Sequence, residues 1–321
     1  MTTGLLFALA AGLMWGLVFV GPLMLPEYPA TLQSFGRYLA FGLIALPLGW
    51  LDRKRLAELT RADWLEALKL ALVGNVVYYL FLASAIQRAG GPLPTMIIGT
   101  LPVVIAITAN LRQSGEVKLP WLRMLPSLAL IGCGIALVNH VEITHLQQDP
   151  NADVRRYAIG ALLAVGAVAC WTWYPIRNAE WLRAHPDRNP RSWATAQGLA
   201  TLPLAVAGYA LTWGWSALSG SDFPMPFGPR VADFLMLMFA IGLLASWLGT
   251  VCWNEASQRL PPTIAGQLIV FETLAALSYA FLLRRAWPEP QTLAGIALLV
   301  VGVVFALRAR PEPLAADAHA S

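Results

Sequence analysis

Two ionisable residues stand inside long apolar stretches of this chain, Arg37 and Glu272. Glu272 lies nine residues into an apolar run of twenty-one, 263–283, near the midpoint of any bilayer that run would cross. A charged side chain there costs about 2.5–3.5 kcal/mol on insertion scales. Carrying a proton lowers that cost, so a carboxyl group at this depth suits the coupling of solute movement to a proton gradient. A structural Glu paired to a neighbouring helix is the plainer reading. Arg37 lies six residues into its own run, about 9 Å deep by helical rise. Its guanidinium stays charged and needs a counter-charge, carbonyls or water. It could receive a substrate carboxylate, pair with Glu272, or snorkel to the headgroups.

Amides, hydroxyls and aromatic rings recur on neighbouring runs. Asn75 and Tyr79 are spaced i, i+4 and share a helix face, with Tyr78 beside them. Trp247, Thr250 and Asn254 follow i, i+3, i+7. Trp15, Trp171, Thr100 and Gln267 complete the set, Gln267 standing five residues before Glu272. Such a lining suits a small solute with an apolar body and a few polar groups. Trp64, Trp121, Trp193 and Trp287 lie near run ends and fit an interfacial belt instead. Thr172-Trp173-Tyr174-Pro175 closes its run and marks a helix end or a kink, and Pro92, Pro94 and Pro102 raise the same choice. Gly295 and Gly302, seven apart, allow close helix contact.

Other chemistries find less support. His140, Glu142 and His145 stand together, but no matching ligands recur, and an aqueous loop explains them without a metal. There is no Walker A sequence, H-E-x-x-H or G-x-S-x-G, so ATP hydrolysis by this chain is not expected and no cofactor is called for. An intramembrane enzyme would need a nucleophile with a base, or a metal cluster, at membrane depth. The runs hold no His apart from His140 at an edge. Cys133, Cys170 and Cys252 each sit in an apolar stretch and read as small buried hydrophobes rather than as a disulfide.

The elements that must position these residues follow from composition. Of 321 residues, 57% are hydrophobic and 12% charged, and the mean hydropathy is +0.59. A soluble fold could not cover its surface with so few charges. A net charge of +4 is too small to imply a nucleic-acid partner. Ten stretches reach the length a bilayer crossing needs: roughly 3–25, 31–51, 64–86, 92–111, 121–139, 157–177, 192–213, 232–254, 263–283 and 290–308. In lipid each must be a helix, so an all-α polytopic membrane protein is expected. The first run lacks a basic n-region and exceeds a signal-peptide core, which reads as a retained helix. The segment LDRKRLAELTRADW is basic and partly amphipathic, and would rest on anionic headgroups of the bilayer. The tail 311–321 is expected to be disordered.

Basic residues set the orientation. With the N-terminus in the cytoplasm, fourteen Lys and Arg fall on the inner side and six on the outer, which favours both termini inside. The chain also reads as a duplication. Gly4–Trp15 and Gly160–Trp171 share five identities in twelve, at an offset of 156, which pairs Trp15 with Trp171. Ala85-x-Gln87-Arg88 recurs as Ala256-x-Gln258-Arg259 at an offset of 171. Five helices per copy is odd, so the second copy must insert upside down, with a site expected at the repeat interface near the midplane. The boundaries are 1–145 for the first five-helix repeat and 146–310 for the second.

Residues 250–308, TVCWNEASQRLPPTIAGQLIVFETLAALSYAFLLRRAWPEPQTLAGIALLVVGVVFALR, and 78–111, YYLFLASAIQRAGGPLPTMIIGTLPVVIAITANL, carry a resemblance to the EamA-like transporters of the drug/metabolite superfamily. Members place a Pro, often preceded by Glu, in the helix after a short Ala-rich link. Pro102 matches that Pro, and Glu272 the Glu, while Thr273 stands where the second Pro is usual. The resemblance spans essentially the whole chain. It implies a ten-helix, inverted-repeat secondary transporter of the inner membrane working by alternating access. Helices 1, 3, 4, 6, 8 and 9 would line the cavity, with 5 and 10 as supports. It implies export of small metabolites, amino acids first, and Glu272 would then be a proton or substrate-amine site. A drug or lipid-linked sugar translocator, opening sideways to lipid, is the alternative. A monomer and a homodimer both stay open.

Overall fold

A chain buried in lipid must close its backbone hydrogen bonds within each segment, which leaves the helix as the spanning element. The computed structural model describes residues 2–112, 121–148, 153–260, 268–285 and 287–308, and all regular structure among them is helical. Gln267 and the tail 311–321 lie outside the described residues.

The first half runs α1 (Thr2–Gly16), a short 3-10 turn, α2 (Val20–Met24), α3 (Ala30–Leu51), α4 (Arg53–Leu56), α5 (Arg61–Leu70), a π-helical segment (Ala71–Val77), α6 (Tyr78–Ala89), α7 (Pro92–Ile98), α8 (Leu101–Arg112) and α9 (Trp121–Gln148). The second runs α10 (Val154–Ala184), α11 (Pro190–Leu218), α12 (Val231–Ile241), a second π-helical segment (Gly242–Leu248), α13 (Gly249–Arg259), α14 (Val270–Arg284) and α15 (Pro290–Arg308). Six continuous helical stretches are long and apolar enough to cross a membrane: Thr2–Met24, Ala30–Leu51, Arg61–Ala89, Val154–Ala184, Pro190–Leu218 and Val231–Arg259. Four shorter apolar helices lie at Leu93–Ile105, Leu125–Val138, Val270–Leu283 and Pro290–Gly302.

Several helices outrun the apolar stretches that announced them. α10 does not end with its apolar run at 177 but continues through Pro175 to Ala184. Proline removes one helical bond, and neighbouring helices supply compensating partners in a packed bundle. His140 and Glu142 belong to α9 rather than to an aqueous loop. The run 92–111 is two helices, α7 and α8, broken at Gly99–Thr100. A turn at Ile269 likewise precedes α14, so Glu272 falls in the first turn of that helix and not at the middle of a straight one.

Packing partners run in parallel through the two halves. α1 lies against α13 and α14, while α10 lies against α6, α7 and α8. α3 packs along α11, and α9 along α15. The last contact depends on glycine: a Cβ on Gly295 would stand 2.8 Å from the Gly134 carbonyl, and one on Gly302 3.0 Å from that of Ser127. The two π segments start 171 residues apart, at Ala71 and Gly242, the same offset as the Ala-x-Gln-Arg pair. The two glutamines of that pair also do the same work. Gln87 Nε2 donates to the Tyr28 carbonyl at 2.6 Å, and Gln258 Nε2 to the Arg188 carbonyl at 3.4 Å. Tyr28 and Arg188 each sit in the turn that leads into α3 or α11.

Charged contacts mark the two ends of the bundle. At one end Arg188 bonds Glu58 at 2.6 Å, Arg177 bonds both oxygens of Glu66, and Trp181 Nε1 donates to Asp63. At the other, Arg230 holds Glu27 at 2.7 Å and Arg156 reaches the Gln87 carbonyl.

Candidate functional site

Buried polar groups in a well-packed chain have partners, so those without any mark places made for something else. Glu272 is fully buried, and neither carboxylate oxygen has a hydrogen-bond partner. Its backbone N–H continues the turn to the Ile269 carbonyl. The Trp171 indole and the Tyr78 phenol lie close to the carboxyl, and the Arg37 charge acts on it as well. Trp171 Nε1, Tyr78 OH and Arg37 Nη1 are themselves buried and without partners, as is the adjacent Thr273 hydroxyl. No ion pair joins Arg37 to Glu272.

The rings around this group are ordered by stacking. Trp171 lies parallel to Tyr78 at 4.6 Å and to Tyr174 at 4.9 Å, and meets Trp15 edge-on at 5.1 Å. Trp15 in turn packs on Trp253 at 5.1 Å. The pair found by internal alignment, Trp15 and Trp171, is thus in direct contact, both rings buried. Gly74 in the first π segment makes room for the stack, since a Cβ there would lie 2.1 Å from the Tyr174 ring. Gly99, at the break between α7 and α8, faces Thr273, where a Cβ would stand 3.1 Å from the Thr273 methyl. The break between α7 and α8 therefore faces the first turn of α14 beside Glu272, and helix breaks of this kind build midplane sites in transporters.

Arg37 is 4% exposed and does not snorkel. Its Nε donates to Ser246 Oγ at 2.9 Å, and its guanidinium lies 4.8 Å from the Tyr38 ring centre and 4.5 Å from that of Tyr79. Stacking over aromatic faces favours a desolvated cation. The Tyr79 hydroxyl donates to the Val18 carbonyl, which fixes that ring.

The remaining expected residues make other contacts. Asn75 donates to Thr201 Oγ1 at 3.0 Å. Thr250 neighbours the Tyr174 hydroxyl. Asn254 accepts from Asn178 at 2.8 Å and donates to the Pro190 carbonyl. Thr100 bonds its own helix at the Ile97 carbonyl. Trp247 donates to Thr195 and lines an apolar groove of about 700 Å³ between α3 and α12. Trp193, expected in an interfacial belt, is buried and stacked on Trp181 at 3.5 Å. Trp287 is 94% exposed.

Sequence reading missed a buried amide network. Asn178 Oδ1 accepts from Trp193 Nε1 and Gln197 Nε2, and Gln197 accepts from the Tyr174 hydroxyl at 2.8 Å. Ending the sixth apolar run at 177 left Asn178 in a loop and hid it. Ser246 was missed as well, although the 171-residue offset from Asn75 points to it.

Six long apolar helical stretches, packed around a buried carboxyl, indole and phenol where the α7/α8 break faces α14, make this an all-α polytopic membrane protein. Comparison with known proteins agrees. The EamA-like transporter family matches residues 2–140. The chain is 58% identical to the inner membrane protein YtfF of Escherichia coli (strain K12), over 97% of each chain. It is 26% identical to the uncharacterized transporter YwfM of Bacillus subtilis (strain 168), over 98% of each. A solved crystal structure, 17% identical, superposes with a TM-score of 0.65 over 95% of this chain and 98% of its own, a likeness of fold. The chain belongs to the EamA-like transporter family and is a membrane transporter of the drug/metabolite type.

Proposed function

We propose that the chain is a secondary-active exporter of small amphiphilic metabolites, amino acids first, working by alternating access in the inner membrane with both termini in the cytoplasm. The observation that carries this reading is the fully buried carboxyl of Glu272, without a hydrogen bond, beside Trp171 Nε1 and Tyr78 OH, which also lack partners, with the free Arg37 Nη1 in the same core. Glu272 is the site for a proton or a substrate ammonium, Arg37 the site for a carboxylate, and the rings hold the apolar body between them. Because no ion pair closes the two charges on each other, both stay available to a zwitterion. Two inverted five-helix repeats, 1–145 and 146–310, supply the two-fold exchange that alternating access needs. The matched π segments and the matched Gln87 and Gln258 contacts support that division.

Flux in proteoliposomes tests the reading, using a panel of amino acids and other metabolites with and without an imposed pH gradient. The expected result is transport of zwitterions that responds to the gradient. Transport confined to apolar or lipid-linked cargo would favour a translocator opening sideways to lipid. The groove between α3 and α12 is the feature that keeps that second reading in view.

A further inference from the structure

Ser246 lies in the second π segment, 209 residues beyond Arg37 in the chain, and is 4% exposed. Its hydroxyl accepts from Arg37 Nε at 2.9 Å and donates back to the Ile241 carbonyl at 3.4 Å, five residues earlier. A π turn widens the helix by one residue and aims a side chain differently from an α turn. The π segment therefore sets the direction of this hydroxyl, and the hydroxyl sets the plane of the guanidinium. Tyr38 and Tyr79 lie against that plane.

The first half makes a parallel contact with different chemistry. Asn75, 171 residues before Ser246, lies in the first π segment and donates to Thr201 on α11. Each π segment thus ties itself to the helix that packs across it, α11 in one case and α3 in the other. Thr201 shows that an uncharged partner is enough for such a tie. An arginine at the equivalent crossing is far costlier to bury, and here it leaves Nη1 buried without a partner. A tie alone does not account for that open donor.

We infer that Ser246 is a positioning residue: it fixes the Arg37 guanidinium so that its free edge meets the carboxylate of the transported solute. This rests on the reading of Arg37 given under Proposed function. Without Ser246, Arg37 keeps its charge but loses its orientation, so affinity falls for solutes bearing a carboxylate and not for those lacking one.

Two measurements test this on the full-length protein. The first needs no solute. In arginine-selective ¹⁵N spectra in nanodiscs, the Nε–H signal absent from Arg37→Lys should be protected from exchange in the wild type and in Ser246→Thr, and unprotected in Ser246→Ala. The second is counterflow in proteoliposomes with three probes sharing one aromatic body: L-phenylalanine, 3-phenylpropionate and phenethylamine. Ser246→Ala should raise KM for the two carboxylates about tenfold or more, leave phenethylamine unchanged, and be rescued by Ser246→Thr. Equal shifts for all three probes, no shift, or unchanged Nε–H protection would overturn the inference while leaving Arg37 in place. A wild type that takes none of the probes, or prefers phenethylamine, would overturn the reading of Arg37 and the inference with it.

Discussion

Glu272 and Arg37 announce themselves because ionisable groups are rare at membrane depth and costly to keep there. What holds them in useful positions is neutral: rings, amides and one hydroxyl. Asn178 is the most connected of these, bridging Asn254, Trp193 and Gln197 while fully buried. Replacing it with Ala leaves at least one donor unpaired, a cost of about 1–3 kcal/mol per group. Asn178→Ala should therefore lower the thermal unfolding midpoint in detergent measurably. An unchanged midpoint would mean the network is not closed as described. The sequence could not reveal this residue, because Asn178 follows a proline and sits beyond the apolar run. Trp15 and Trp171 were legible for the opposite reason: the same short pattern occurs twice and pairs them. Ser246 looks like any small residue until the π segment turns it toward α3.

Elements obey a similar rule. Apolar runs located the six stretches long enough to cross a membrane, since lipid admits little else. They did not reveal the polar turns by which Arg61–Ala89, Val154–Ala184 and Pro190–Leu218 extend past the lipid core, nor the break at Gly99–Thr100. The π segments carry no marker a periodicity search would find, because one extra residue per turn leaves the composition untouched. The turn before α3 shows how ends are fastened. Burial works to raise the Glu27 carboxyl, but its own backbone N–H and Arg230 outweigh that and hold it below the usual carboxylate range. A lowered folded value contributes stability above the unfolded range, and that contribution disappears as pH falls through the folded value. Both partners are substantially exposed, so water and salt screen the pair and its contribution is small. Glu27→Gln should cost a small amount at neutral pH and nothing in acid. A loss that persists in acid would show that Glu27 matters through packing rather than charge.

At the scale of the whole molecule, the two ends of the bundle are closed by different groups. Arg188–Glu58 and Arg177–Glu66 fasten one end, and Arg230–Glu27 the other. Alternating access requires that each end part in turn. Joining Glu58→Cys to Arg188→Cys with a short thiol cross-linker, in a background lacking the native cysteines, should stop flux, while either single substitution should not. Flux that survives the cross-link would show that this end does not part along that seam.

The central claim is that Glu272, and not the bundle at large, links solute movement to protons. The direct measurement compares wild type with Glu272→Gln in proteoliposomes, following solute exchange with and without a pH gradient. Gln keeps the shape and removes the titrating proton. The account predicts that Glu272→Gln still exchanges solute but no longer responds to the gradient. Identical responses from the two proteins would contradict it and leave Glu272 as a structural residue of a facilitator or exchanger.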